Sequence, residues 1–156
     1  MTTTVTAGRV ATVDDQRVVV YDREYVRACL EDAGRTLMAM ASHGCLPQGH
    51  QSSMPEPLQD FWTAYASTAA RLRWPRPTAM AIDRMDRTLP WLAYVREKRV
   101  RRVVSLRMLT HPITDKPIRS WRQLADDVGC GESTLKRWQA QGLDDIAAEI
   151  SGRFND

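Results

Sequence analysis

Three side chains with metal-ligating chemistry fall close together, His43, Cys45 and His50, and imidazole and thiolate are ligands that suit zinc. A structural zinc site takes four ligands, and no fourth follows at a ligand spacing. His43 is better explained as a cation favoured near a helix C-terminus. The adjacent carboxylates Asp14-Asp15, Asp126-Asp127 and Asp144-Asp145 diverge on a helix and make no acid/base pair. A Gly-rich phosphate loop, a nucleophile elbow and an HExxH segment are all missing from the sequence. The expectation is therefore a protein that is not an enzyme and needs no cofactor. A different set of polar residues stands out: Arg122, Glu132, Ser133, Thr134, Lys136, Arg137 and Gln139. Ser133, Lys136 and Arg137 recur at steps of three and four, so on a helix they can reach base edges together, and an arginine can bond guanine bidentately. Arg122 is placed to meet a phosphate. Glu132 repels phosphate unless it accepts from a cytosine amino group.

These residues need two helices to position them, and the sequence writes both between 120 and 143. In Ser120-Trp121-Arg122-Gln123, the serine hydroxyl can cap a helix while Gln123, three residues on, returns to the cap backbone. Trp121, Leu124, Ala125 and Val128 follow as one apolar stripe, with a small residue at Ala125 where two helices would cross closely. Gly129 suits a turn that needs positive φ. The second helix starts near Glu132, buries Leu135 and Trp138, and leaves its polar set outward. Gly142 is read as its left-handed stop, with Leu143 folding back on Trp138 and a short helix over 143–150 closing the underside. The pattern is that of a helix-turn-helix whose second helix enters a major groove.

Charge follows the same division. Residues 1–93 balance ten basic against ten acidic side chains, 94–140 hold eleven against five, and 141–156 hold one against four. The positive charge sits where counterion release from a phosphate backbone would reward it. The rest reads as a mainly α protein. Residues 1–21 form an N-terminal arm that admits a short β-hairpin, Val10 to Val13 and Arg17 to Tyr21 around a polar turn. Residues 22–109 form a helical body. Its first helix runs from Asp22, with Val26, Leu30, Ala33, Leu37 and Met40 on one face and Gly44 as a stop. A polar loop over 45–57 leads to a second helix over 58–72 with Phe61, Trp62 and Tyr65 inward. Trp74-Pro75-Arg76-Pro77 breaks it. Thr78 caps a third, whose stripe is Ile82, Met85, Leu89 and Leu92, with Pro90 as a kink or break. A basic fourth helix spans 95–109 and a loop over 110–118 leads into the binding unit at 118–150. No apolar run approaches the roughly 20 residues a bilayer requires. Residues 1–7 have no basic start and no apolar core, so they do not read as a secretory signal. Three cysteines without CxxC spacing argue for a reducing cytoplasm.

The run from Met85 through Leu92, the basic helix and the unit at 120–143 together resemble the terminal helix-turn-helix of bacterial sigma factors, their region 4. More broadly, Tyr25-Val26-Arg27, Pro47-Gln48-Gly49, Pro55-Glu56, Trp62-Thr63-Ala64-Tyr65 and Ile82-Asp83-Arg84-Met85-Asp86 resemble an uncharacterised family of small helix-turn-helix proteins of alphaproteobacteria and their phages. That resemblance covers about residues 22–150 and implies a helical DNA-binding protein of phage or prophage origin, with no established activity.

The expected function is a transcriptional regulator on double-stranded DNA. One recognition helix offers few base contacts, so a homo-oligomer on paired half-sites is expected, with the helical body as its interface. Two alternatives stay open. One is the small subunit of a phage packaging terminase, which binds DNA as a ring; the other is a sigma-like accessory that binds RNA polymerase. A dimer, a ring or a monomer in solution separates the three.

Overall fold

The computed structural model describes residues 10–13, 16–41, 58 and 75–155. The His43, Cys45 and His50 cluster, the loop over 45–57 and, apart from buried Leu58, the helix expected over 58–72 lie outside these residues. Among the described residues the protein is mainly α-helical. Ahead of the helices, Val10–Val13 (β1) and Gln16–Val19 (β2) pair antiparallel, with Val10 opposite Val19.

Helix α1, Arg23–Ala41, is started by Asp22, whose carboxylate accepts from the Tyr25 amide at 2.8 Å, satisfying an amide that the first turn leaves unpaired. Val26, Leu30, Ala33, Leu37 and Met40 are all buried, the one-face spacing of an amphipathic helix. Helix α2, Ala79–Thr88, is capped by the Thr78 hydroxyl, which accepts from the Ala81 amide at 3.2 Å. Pro90 then sits in the first turn of a 3₁₀ segment, Leu89–Tyr94, where its missing N–H costs nothing.

Helix α3 is Lys98–Met108, shorter than the 95–109 expected. Val95 is extended, and its carbonyl accepts both Nε and Nη2 of Arg101, at 2.8 and 2.6 Å. A side chain thus takes the acceptor that a helix starting at Val95 would have used for its own ladder. A connection follows in which Thr110 bridges Pro117 and the Ile118 amide donates to Leu109 at 2.9 Å. Arg35 of α1 reaches the loop at Asp115, Nε to Oδ1 2.7 Å.

Helix α4, Trp121–Val128, begins with both halves of a capping box. The Gln123 amide donates to Ser120 Oγ at 3.2 Å, and the Ser120 amide to Gln123 Oε1 at 2.9 Å. It ends at Gly129, φ 74° and ψ 34°, whose amide and that of Cys130 both donate to the Ala125 carbonyl, at 2.8 and 3.2 Å. A Cβ on Gly129 would meet nothing within 4 Å, so only backbone strain selects glycine there. Gly129→Asn is therefore expected to melt close to the native protein, and Gly129→Val to lose about 1–2 kcal/mol. Equal melting of the two variants would show that positive φ is not the constraint.

Helix α5 runs unbroken over Glu132–Asn155. The left-handed stop expected at Gly142, and the separate helix over 143–150, are not found. Gly142 is buried in mid-helix, and a Cβ built there would lie 2.6 Å from a Val104 methyl and 2.9 Å from one of Val100. It is a glycine because α3 crosses α5 at that point. One core serves the described helices. Val26, Leu30 and Leu37 of α1, Val100, Val103 and Val104 of α3, Leu124 of α4, and Leu135, Leu143, Ile146 and Ile150 of α5 belong to a single buried cluster.

Candidate nucleic-acid interface

The residues singled out for recognition sit on or beside the first two turns of α5, and the structure gives them unequal freedom. Ser133 and Arg137, four residues apart and hence stacked on one face, are exposed and bond no described side chain. Arg122, in the first turn of α4, is likewise exposed and unpaired among the described residues. Thr134 is half-buried, its amide tied to the Gly131 carbonyl at 3.1 Å. Glu132 and Lys136 occupy one another across a turn, with Nζ to Oε2 at 3.8 Å. Lys136 also stands 5.7 Å from the centre of the Trp121 ring. The carboxylate that looked hostile to phosphate thus already has a cation beside it, through an exposed pair of the kind that contributes little and exchanges readily.

Gln139 departs from the outward placement expected for it. It is half-buried and lines a shallow cleft between α1, α3 and α5 together with Arg27, Glu31, Arg107 and Leu143. The helical period explains this, since Gln139 is only four residues beyond buried Leu135 and four before buried Leu143. Burial pushes the Glu31 carboxyl up, although Arg27, Arg107 and Arg35 oppose the shift. Burial also lowers the affinity of the Arg107 guanidinium for its proton.

Arg107 is a residue that sequence reasoning missed. Its guanidinium lies 4.3 Å from the Trp121 ring centre, a cation–π distance, and Nη1 donates to the Arg119 carbonyl at 2.7 Å. The last turn of α3 thereby grips the entry to α4 just before its cap. Arg119 itself pairs with Asp127, bracing α4 at both ends. No local pattern could have exposed this, because the partners of Arg107 lie 12 and 14 residues away across a loop.

Charge is graded along α5. Arg137 and Lys136 stand in its first half, whereas Asp144, Asp145 and Glu149 are exposed in its second. Two of those carboxylates are committed, Asp144 to Arg23 (Nε to Oδ1 2.8 Å) and Glu149 to Arg153 (3.1 Å). The N-terminal turns are thus the less acidic end of α5, where the helix dipole also favours an anion.

The fold and this surface define a mainly α-helical protein that carries a short capped helix, a tight glycine turn and a long helix with an exposed polar N-terminal face. More particularly, residues 40–146, over half of the chain, match the model of a family described as Domain of unknown function (DUF6362), and the chain belongs to that family. No curated protein and no solved structure matches the chain. Among the described residues there is no group of three or more metal-ligating side chains, and no helix long and apolar enough to cross a membrane.

Proposed function

We propose that α4, the turn at Gly129 and the first half of α5 act as a helix-turn-helix that docks on double-stranded DNA, with the N-terminal turns of α5 in the major groove. The observation that carries this reading is the pair Ser133 and Arg137. They are exposed, uncommitted and on one face at the N-terminal end of a helix whose one acidic residue there, Glu132, is paired with Lys136, while Asp144, Asp145 and Glu149 stand in its far half. Arg122 is the phosphate contact from α4, and Arg107 fixes the angle at which α4 leaves the body. The regulatory, phage-type role rests on the sequence resemblance alone. Pairing of protomers on two half-sites would supply the base contacts that a single helix lacks.

Equilibrium binding to duplex DNA over a salt series tests the proposal. Association should be measurable at low salt and should weaken steeply as salt rises, because each phosphate contact releases condensed counterions. No binding at low salt, or binding indifferent to salt, would remove it. Glu132→Ala refines the test. Because Lys136 already neutralises Glu132, the variant should bind every duplex somewhat more tightly and keep the same sequence preference. Lost preference at a single C·G pair would instead show that this carboxylate reads a cytosine.

A further inference from the structure

The eleven basic residues of the 94–140 segment do not share one face. Helix α3 meets α5 through Val100 and Val104, whose methyls close on Gly142. At about 100° per residue, Lys98 and Arg102 stand about 160° around α3 from Val100, with Arg99 about 100° away. All three are exposed, as is Arg96 just before the helix. On α5, Ser133 and Arg137 stand about 180° and 140° from Gly142. Lys98 and Arg102 thus point away from the proposed recognition face across the α3–α5 pair, with Arg99 to one side, so a straight duplex lying against Ser133 and Arg137 does not lie against Lys98 and Arg102.

The α3 cluster is also free of carboxylate partners. Arg23, Arg27, Arg35, Arg84, Arg119, Lys136 and Arg153 each have one, whereas Arg96, Lys98, Arg99 and Arg102, like Arg122 and Arg137, have none among the described residues. Five cations stand within the seven residues 96–102, Arg101 being turned onto the Val95 carbonyl, and Glu97 is the one acid among them. A second copy of this chain is a poor match for them. Its exposed acidic stretch on α5 offers Asp144, Asp145 and Glu149, of which Asp144 and Glu149 are already paired. A phosphate backbone supplies a dense row of anions and gains from the counterions it releases.

We infer that Arg96, Lys98, Arg99 and Arg102 form a second phosphate-binding surface, so that one protomer holds two DNA duplexes on opposite sides. The inference rests on the reading of α5 as the first DNA-binding face. It is tested with the full chain and two copies of one duplex, one fixed to beads and one fluorescent, at protein amounts below saturation. The native protein should retain the fluorescent duplex on the beads. Lys98→Glu/Arg102→Glu should reduce that retention by at least about fivefold, while its affinity for a single duplex, read by anisotropy, changes by less than about threefold. Lys98→Gln/Arg102→Gln should fall between the two and melt as the native protein does, separating lost charge from lost fold. Failure of the native protein to bind even one duplex by anisotropy would bring down the α5 reading itself. Single-duplex binding without retention on the beads would overturn the second surface. So would retention unchanged by charge reversal, which is the result expected if two α5 helices of an oligomer did the bridging. A change in solution mass on charge reversal, measured without DNA, would assign the surface to a second copy and overturn the inference as well.

Discussion

Gly34→Ala is expected to destabilise the protein by about 3 kcal/mol, lowering Tm by roughly 6–12 °C for a chain of this size. A Cβ at Gly34 would drive into the carbonyl group of Met108 and stand 3.2 Å from the Leu109 amide nitrogen. These are backbone atoms at the end of α3, and they cannot swing aside as a side-chain tip would. The Met108 carbonyl is held further by the Thr110 hydroxyl, which donates to it at 3.0 Å. The clash therefore has to be relieved by moving α3 off α1, and α3 leads directly into the connection that sets α4. Gly152→Ala is the matched control. It lies in the same protein's last helix with open space where its Cβ would go, so it should be neutral or stabilise by up to about 1 kcal/mol through helix propensity. Indistinguishable melting of the two variants would contradict the close α1–α3 crossing.

The second large effect is expected at Arg137. Replacing it with alanine should cost about 1–3 kcal/mol on the preferred duplex and relax preference at one base pair, because a bidentate contact to guanine carries sequence information. Arg122→Ala should instead weaken all sequences alike and lower the salt slope by about one unit, because a phosphate contact carries none. Neither guanidinium has a described partner to lose, so both variants should melt as the native protein does, and the difference appears only with DNA present. Binding-site selection on the two variants reads it directly. If both lose affinity equally for every sequence and keep the same preference, the recognition helix has been placed wrongly.

Much of what positions these residues is written locally. Ser120 and Gln123 announce the start of α4 because a capping box needs only a hydroxyl and an amide three residues apart. Gly129 marks its end through backbone geometry alone, and Thr78 marks the start of its helix through a side-chain cap, as Ser120 does. What stayed hidden depends on partners distant in sequence. Gly142 and Gly129 are the same residue type after the same kind of amphipathic run, yet one permits a left-handed turn and the other admits two valines that lie about 40 residues earlier in the chain. Gln139 is polar and so reads as outward, but its place between Leu135 and Leu143 sets it beside Arg27 and Glu31 of α1. The Glu132 and Lys136 pairing was available from an i, i+4 spacing. The grip of Arg107 on Trp121 was not, since it depends on how the loop after α3 returns. The summed charge of 94–140 likewise concealed that its cations occupy opposite faces, because a sum carries no direction.

The central claim, that DNA lies against the N-terminal turns of α5, is tested most directly by photo-crosslinking from defined positions on that helix. A photoreactive side chain at Ser133 stands on the proposed contact face. One at Ala148, also exposed, stands 15 residues further along, about 22 Å away at 1.5 Å per residue, beside the acidic residues. Both substitutions should be tolerated, since neither side chain is buried. Crosslinks to duplex DNA from position 133, suppressed by high salt and absent from position 148, are the result this account predicts. Equal crosslinking from both positions, or crosslinking from 148 alone, would contradict it.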